Sequence, residues 1–267
     1  VEKWNGRTVG KDKTARVYEV RRGKIKAKRV KISPASAASQ AVGPTLSGVE
    51  MSWNGRNWPQ VGMKMIPMRA LAMQNVATDD SVLGGYVTEP TGINMTYREM
   101  IMRAFPRKYW DSTDTVNIGG VEYSLMAANF PFFWGLAVMT YESTLVSDQT
   151  PFDNFLDGNG SLTRAEKRGM DVFEGDGRCD HCHGGATLTG AAKDGNGKAF
   201  ANIGVRPTRE DRGRNKGEFK VPGLRNVELT GPYFHTGGYL TLRQLVEFYN
   251  RGGDFDNKDK NSQIREL

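Results

Sequence analysis

Cysteine and histidine are scarce in this sequence, and their scarcity excludes several kinds of site. Only two cysteines, Cys179 and Cys182, and three histidines occur in 267 residues. Two cysteines this close together cannot form a disulfide framework. A structural zinc site needs four ligands with a second close pair, and only His235 remains downstream to complete one. No secretion signal is visible, so a chain that begins with Val1 is expected to be a mature or trimmed product.

Long apolar segments are also rare. The segment 123–141 carries no charge and is long enough to be a candidate membrane span. Asn129, Pro131 and Gly135 interrupt it. The segment therefore predicts a buried core helix that starts near Pro131, and we expect no transmembrane segment.

The net positive charge of the chain is concentrated at its N-terminal end. Residues 1–32 hold 12 Lys/Arg and 3 Asp/Glu, a local charge of +9, whereas the remaining residues hold 25 basic and 27 acidic side chains. Such a segment could contact nucleic acid, an acidic partner or an anionic surface, or could be a solvated edge. No aromatic residues alternate with the basic ones in a nucleic-acid motif, so we expect a docking element or edge and no specific nucleic-acid partner.

The N-terminal third predicts little regular structure apart from one hairpin. Residues 14–32 contain two β-prone runs on either side of Arg22-Gly23, which predicts a basic β-hairpin. Residues 33–50 are small, polar and rich in turn formers, so a connector is predicted. From 51 to about 147 the pattern indicates helical segments joined by long loops.

Two helices are clearly marked in the C-terminal half. Thr163-x-x-Glu166 is a capping box that opens a helix ending at Gly175, just before the first cysteine. Thr241 starts a second helix, which Gly252-Gly253 ends. A long glycine-rich segment lies between them. Two helices and a wrapping loop are typical of a cytochrome c-like domain.

The chemistry is carried by the pentapeptide Cys179-Asp180-His181-Cys182-His183. The spacing C-x-x-C-H lets two thiols add to the two vinyl groups of one haem, and the adjacent histidine binds the iron from below. A thioredoxin-type C-x-x-C would follow a strand and open a helix, whereas this motif follows a helix. The motif therefore predicts one covalent haem c, with His181 facing outward.

The second axial ligand of the iron cannot be a downstream methionine. All eleven methionines lie at or before Met170, upstream of the motif. After His183 the candidate ligands are His235 and the tyrosines Tyr233, Tyr239 and Tyr249. An anionic phenolate would favour ferric iron, whereas methionine raises the potential.

Long segments of the chain resemble the bacterial di-haem cytochrome c peroxidase and MauG family. The strongest is GEFKVPGLRNVELTGPYFHTGGYLTLRQLVEFYNRGGDF at 217–255, which is similar to the C-terminal haem domain of that family. Supporting segments are MSWNGRNW at 51–58, DDSVLGG at 79–85 and FWGLAVMTYESTLVSDQTPFD at 133–153. The resemblance covers about residues 40–260 and leaves out the hairpin.

The resemblance implies roles for individual residues. Tyr249 lies where peroxidases of the family have a methionine ligand and MauG-type members a tyrosine ligand, which favours His183/Tyr249 ligation. Trp53 matches the tryptophan between the two haems, a relay for electrons. Arg225 and His235 fall in the block near the haem edge and are expected beside the propionates. The resemblance also implies calcium, for which Asp157-Gly-Asn159-Gly is a candidate loop, although a plain turn is the preferred interpretation.

The sequence departs from the family in three ways. It contains no second C-x-x-C-H, so the second haem is expected upstream or on a partner chain, and this chain is expected to be part of a larger or multi-chain protein. It stops at Leu267, where relatives continue into a closing helix. The family's proton-moving Gln and Glu positions fall on Met63 and Met73, which cannot move a proton.

These observations predict a mainly α protein. We expect a basic hairpin and connector at 1–40, a helical remnant of the peroxidatic-type partner domain at 41–153 and a cytochrome c-like haem domain at 154–267. The expected function is that of a periplasmic or otherwise exported haem c oxidoreductase, whose haem delivers or stores electrons for peroxide- or oxygen-driven oxidation at the second haem. The alternatives are a pure electron-transfer cytochrome, or an oxygenase acting on a large apolar substrate. The methionine-rich stretch 63–73 would suit an apolar pocket or, equally, core packing.

Overall fold

A computed structural model of the chain describes residues 4–8, 14–191 and 199–266. Part of the basic segment, residues 1–3 and 9–13, therefore lies outside the described residues. The chain forms two compact units, Val1–Val146 and Ser147–Leu267. The first unit contains the predicted hairpin and connector 1–40, and the second unit begins at Ser147. The helix Pro151–Leu156 crosses the predicted boundary at 153/154, and the division into a partner-domain remnant and a haem domain stays a prediction.

Loops and turns make up most of the described residues, and their regular structure is mainly helical, with three small two-stranded sheets. The first unit contains, in order, β1 Val17–Arg21, β2 Lys24–Lys28, α1 Ser36–Ala41, α2 Trp58–Met65, α3 Tyr97–Ala104, β3 Thr115–Ile118, β4 Val121–Ser124, α4 Leu125–Ala128 and α5 Phe130–Glu142. The second unit contains α6 Pro151–Leu156, α7 Arg164–Glu174, β5 Phe200–Ala201, β6 Phe219–Lys220 and α8 Leu242–Asn250. Short 3-10 turns include Arg107–Tyr109 and Cys179–His181.

The basic hairpin forms as the sequence predicts. β1 and β2 are antiparallel, with Val17 opposite Lys28 and Arg21 opposite Lys24. Arg22 and Gly23 form the two-residue turn, and both have positive φ, as the tight turn of a twisted hairpin requires. The hairpin is attached to the core by Asn129, whose amide donates to the Tyr18 carbonyl at 2.7 Å and accepts from the Tyr18 N–H at 2.9 Å.

The connector prediction for 33–50 is wrong, because part of this segment is a core helix. Ala38 of α1 is fully buried, and α1 packs along α5. Gly135 of α5 allows this approach, since a Cβ there would lie 2.5 Å from the Trp4 ring and 3.1 Å from the Ala38 carbonyl oxygen. Small residues that look like a linker in sequence are therefore the surface on which two helices touch.

The charge-free segment forms the centre of the first unit. α5 begins at Phe130, with Pro131 in its first turn, and buries its N-terminal half. This confirms the predicted core helix near Pro131. None of the helices in the described residues is both long and apolar enough to cross a membrane. The sequence did not predict the β3–β4 hairpin, which occupies 115–124 just before the helix.

The second unit buries fewer hydrophobic side chains than the first. Among its described residues the buried hydrophobics are Leu162, Ala201, Val205, Val221, Tyr233 and Phe248. Both predicted helices are present with their capping boxes, Thr163 with Glu166 for α7 and Thr241 with Gln244 for α8. The rest of this unit is mostly loop, held by turns around the C-x-x-C-H motif and by the aromatic residues of α8.

Candidate haem-binding site

The C-x-x-C-H motif lies in a tight turn directly after α7. The Gly177 N–H donates to the Val172 carbonyl of α7 at 2.8 Å. A Cβ at Gly177 would lie 2.6 Å from that carbonyl oxygen and 3.4 Å from Cys179 Sγ, so this approach needs glycine. The chain then turns through Cys179–His181, and the His183 N–H donates to the Cys179 carbonyl at 2.9 Å. Both thiols and the imidazole are thus carried by a single turn.

Cys179 and Cys182 are not joined in a disulfide, and both are partly buried. Burial raises the pKa of the Cys179 thiol, and the neighbouring Asp180 and Cys182 act in the same direction. The Cys179 thiol therefore keeps its proton. Two such thiols at this spacing fit the vinyl groups of one haem.

His183 is oriented for binding iron through Nε2. Its Nδ1–H donates to the Leu188 carbonyl at 3.1 Å, which leaves the lone pair on Nε2. Burial lowers the pKa of His183, against the opposing effect of the Leu188 and Pro222 carbonyls, so the ring is neutral. A neutral imidazole with one nitrogen held by a carbonyl is the form in which histidine binds metals.

The segment 221–225 lies against the loop that follows the motif. The buried Thr189 hydroxyl donates to the Val221 carbonyl at 2.5 Å, and the Gly190 N–H donates to the Cys182 carbonyl at 2.7 Å. Arg225 Nε donates to the Ala186 carbonyl at 2.9 Å. These bonds fix the loop 184–190, which supplies the carbonyl that orients His183.

The Arg225 guanidinium is also paired with a carboxylate of α6. Its Nη1 and Nη2 donate to the two oxygens of Asp153 at 2.9 and 2.7 Å, and Nη1 also donates to the Ser147 carbonyl. These bonds and the Thr150 cap hold the pKa of Asp153 well below its usual range. The expected contact of Arg225 with the haem propionates stays a prediction, because most of its donors serve Asp153 and two backbone carbonyls.

The candidate ligands of the iron differ in whether their polar atoms already have a partner in the protein. His235 Nε2 lies 2.7 Å from Asp211 Oδ2, and its ring stacks on Phe219 at 3.5 Å between centroids. The Tyr233 hydroxyl donates to the Val227 carbonyl at 2.9 Å, and the Tyr239 hydroxyl donates to Asp254. These three side chains have partners other than a metal.

Tyr249 of α8 has no such partner. Within the described part of the chain its hydroxyl makes no hydrogen bond, and its ring packs against Phe234 and Phe248 at centroid distances of 6.2 and 5.3 Å. Burial raises the pKa of Tyr249, and Cys179 and Cys182 contribute in the same direction. The Tyr249 hydroxyl is thus close enough to Cys179 and Cys182 for both thiols to influence its pKa.

The side chains that α8 buries differ in part from those that the sequence predicts. Leu245 and Val246 lie four and three residues before Tyr249, a spacing that predicts a shared inward face. Val246 is 61% exposed, whereas Phe248 is fully buried. Phe248, which the sequence argument did not use, is the anchor of the helix, through ring contacts with Phe234 and Tyr239.

Other predicted residues lie in the first unit. Trp53 is 62% exposed, with the Arg56 guanidinium 4.6 Å from its ring centroid, a cation–π contact. Met63 and Met73 are 58% and 93% exposed, so core packing is wrong for these two methionines. Met65 does pack against the first unit's core.

Arg178 is a candidate that the sequence argument missed. It precedes Cys179, has φ of 52°, and its Nε is buried without a hydrogen-bond partner among the described residues. An unsatisfied cationic donor beside the motif is suited to an anionic group such as a haem propionate. His181 points outward as expected, with Nδ1 3.2 Å from Asp180.

The candidate calcium loop is a plain turn after α6. The Asp157 N–H donates to the Asp153 carbonyl at 2.9 Å, and Gly158 has a φ of 74°. In the described residues no three His, Cys, Asp or Glu side chains come together as a metal cluster would require. Calcium therefore stays a prediction from the family resemblance.

Comparison with known proteins agrees with the haem chemistry. The chain is 39% identical over 137 residues to cytochrome c551 peroxidase of Nitrosomonas europaea, a match covering 48% of this chain and 40% of the relative. It is 40% identical over 126 residues to cytochrome c peroxidase Ccp of Escherichia coli, covering 43% and 26%. It is 33% identical over 129 residues to the methylamine utilization protein MauG of Methylorubrum extorquens, covering 44% and 34%. The matched region thus spans less than half of each relative.

The fold has a counterpart among solved structures. A MauG-like protein associated with microbial copper homeostasis superimposes with a TM-score of 0.53 at 21% identity, over 86% of this chain and 63% of that one. No family model matches the chain. The chain is thus similar in sequence to bacterial cytochrome c peroxidases and to MauG over less than half of their length, and its fold is similar to that of a MauG-like protein.

Proposed function

We propose that this chain binds one haem c through thioether bonds to Cys179 and Cys182, with His183 and Tyr249 as the axial ligands of the iron. The proposal rests on the arrangement of four side chains in the second unit. Cys179, Cys182 and His183, whose Nδ1 is engaged by the Leu188 carbonyl, lie in one turn, and the pKa of Tyr249 on α8 responds to both thiols. His235 is the rival ligand, and its contacts with Asp211 and Phe219 argue against it.

The bound haem would supply one-electron transfer. The Leu188 carbonyl accepts the Nδ1–H of His183, which fixes the ring orientation and makes Nε2 a stronger donor. Tyr249 holds its proton at the hydroxyl in this environment, because burial raises its pKa. Loss of that proton to solvent would accompany ligation, and the resulting phenolate favours the ferric state. Arg178 and, as predicted from the resemblance, Arg225 and His235 would face the propionates.

We propose further that the haem delivers or stores electrons for peroxide- or oxygen-driven oxidation at a second haem. The support is the similarity to peroxidases and to MauG. The second haem would lie upstream or on a partner chain, and Trp53 would relay electrons between the two. This assignment makes the protein a periplasmic oxidoreductase that works with a redox partner.

A pure electron-transfer role is the second candidate. The observation that favours it is the single C-x-x-C-H in the sequence. The two roles differ in what peroxide does to the protein. A carrier passes on electrons without consuming peroxide, whereas the enzyme oxidises a reduced donor in proportion to the peroxide added.

The experiment is steady-state oxidation of a reduced small cytochrome c by the purified holoprotein, with and without hydrogen peroxide. The proposal expects peroxide-dependent turnover that Trp53→Phe slows at least tenfold without changing the haem spectrum. Trp110→Phe, a tryptophan whose indole donates to the Phe105 carbonyl at 2.8 Å, is the matched control. Electron exchange with the cytochrome and no peroxide-dependent turnover would leave the carrier role.

A further inference from the structure

The basic hairpin presents an ordered array of cations on one face. In β2, Lys24, Lys26 and Lys28 alternate with Ile25 and Ala27, so that the three lysines share one side of the sheet. The register places Arg21 opposite Lys24 and Glu19 opposite Lys26. All three lysines and Arg21 are exposed.

A buried carboxylate lies within this array: Glu19 is directly opposite Lys26 and therefore points to the same side of the sheet. Glu19 is 2% exposed, and three cations converge on it: Arg21 at 3.2 Å, Lys28 at 3.8 Å and Lys108 at 3.2 Å. Because one buried negative charge offsets part of their repulsion, several cations can be held close together at the surface. Lys24 and Lys26 enter no ion pair with any described residue, so their charges remain directed outward. The face therefore carries a net positive charge that the fold holds in place.

The same surface lacks the anchors of a protein–protein interface. Across 14–48, all of which the structure describes, no large hydrophobic side chain is exposed. Stable protein interfaces have a core of buried aromatic or aliphatic residues, and their strongest contributors are Trp, Tyr and Arg in desolvated pockets. Flexible lysines on an open hairpin, without such a core, suit a diffuse layer of negative charge.

We propose that the basic hairpin docks the protein on an anionic phospholipid surface. The recognised chemistry is the phosphate-rich layer of headgroups, to which each lysine or arginine near the surface adds binding strength. Lys24, Lys26 and Lys28 lie on the membrane side, with Lys108 and Arg21 beside them around Glu19. The docking is independent of the haem chemistry and holds the protein at a membrane surface.

The test is co-sedimentation of the holoprotein with vesicles of phosphatidylcholine containing about 30% phosphatidylglycerol, against pure phosphatidylcholine. The test variant is Lys24→Gln/Lys26→Gln/Lys28→Gln. The matched control is Lys167→Gln/Lys220→Gln/Lys258→Gln, which removes the same charge from exposed lysines of the second unit. Haem absorbance of the supernatant measures unbound protein and verifies that each variant is loaded.

The expected result is binding to the phosphatidylglycerol vesicles that falls steeply with salt. Each lysine contributes about fivefold at low salt, so the hairpin variant should bind roughly a hundredfold more weakly, whereas the control keeps most of its binding. Equal losses in both variants would mean that net charge alone acts and would overturn the proposal. Absence of vesicle binding, with hairpin-dependent binding to polyglutamate or to duplex DNA, would overturn it in favour of a protein or nucleic-acid partner.

Discussion

At the scale of single residues, the choice of iron ligand depends on which candidate side chains already make a hydrogen bond within the protein. Four aromatic or imidazole side chains follow the haem motif at positions suited to ligation, and sequence cannot rank them without the family resemblance. The structure separates them by their hydrogen bonds. His235, Tyr233 and Tyr239 have acceptors in Asp211, the Val227 carbonyl and Asp254, whereas Tyr249 has none among the described residues.

Tyr249→Phe is therefore expected to change the ferric spectrum and raise the reduction potential. Removing a phenolate ligand removes the group that stabilises ferric iron. Spectroelectrochemical titration of the holoprotein measures both effects at once. His235→Ala, the control, should leave the ligation as it is. A five-coordinate haem in His235→Ala together with an unchanged Tyr249→Phe spectrum would make His235 the ligand.

The Asp153–Arg225 pair predicts an acid sensitivity of the second unit. Arg225 and the Thr150 cap depress the pKa of Asp153 in the folded state, so the pair stabilises the fold above the usual carboxyl pKa of 3.8. That stabilisation is lost as the pH falls below this value, because the Asp153 carboxyl takes up a proton at a higher pH in the unfolded chain than in the folded chain. Asp153→Asn should lower stability at neutral pH and flatten its decline between about pH 4 and pH 2.

The measurement is thermal unfolding followed by haem absorbance at several pH values. Asp157→Asn is the matched control, because this carboxylate lies just beyond the same helix, exposed and without an ion pair among the described residues. A pH dependence identical in wild type and Asp153→Asn would show that the pair does not contribute.

At the scale of elements, boundaries marked by local chemistry were predictable, whereas those set by tertiary packing were not. The hairpin at Arg22-Gly23, the capping box of α7 and the start of α8 at Thr241 each depend on a few neighbouring residues, and the structure confirms them. α1 was missed because Ser36–Ala41 has the composition of a linker, and its helicity depends on contact with α5. The β3–β4 hairpin was also marked locally, by Gly119-Gly120 between two β-prone runs, and this signal was overlooked.

Alanine substitutions at two helical glycines, Gly135 in α5 and Gly169 in α7, are expected to change the free energy of unfolding in opposite directions. Gly135→Ala should destabilise the first unit by about 1–3 kcal/mol, because the new Cβ would overlap the Trp4 ring. Gly169→Ala in α7 meets nothing within 4 Å and should stabilise the second unit by about 0.5–1 kcal/mol. All five tryptophans lie before residue 147, so indole fluorescence follows the first unit and haem absorbance the second. Stabilisation by Gly135→Ala would contradict the packing.

At the scale of the whole molecule, the two units differ in the interactions that stabilise each of them internally. The first unit has a continuous core built around α5. The second, over its described residues, buries six hydrophobic side chains and is mostly loop around the C-x-x-C-H turn. The sequence identified the cysteines and His183 without the structure, because covalent attachment requires residues close in sequence. The Asp153–Arg225 pair could not be predicted, and neither could the burial of Arg178 Nε without a hydrogen-bond partner in the described part of the chain, because both arise only when the chain folds.

The central claim is that one haem is covalently bound at Cys179 and Cys182, and peptide mass spectrometry after acid–acetone extraction tests it most directly. The account predicts that the colour stays with the protein and that the proteolytic peptide containing Cys179–His183 carries the mass of one haem through both thiols. Cys179→Ala and Cys182→Ala should each retain haem through the remaining thioether only. Recovery of that peptide with two unmodified thiols, and of the haem in the acetone phase, would contradict the account.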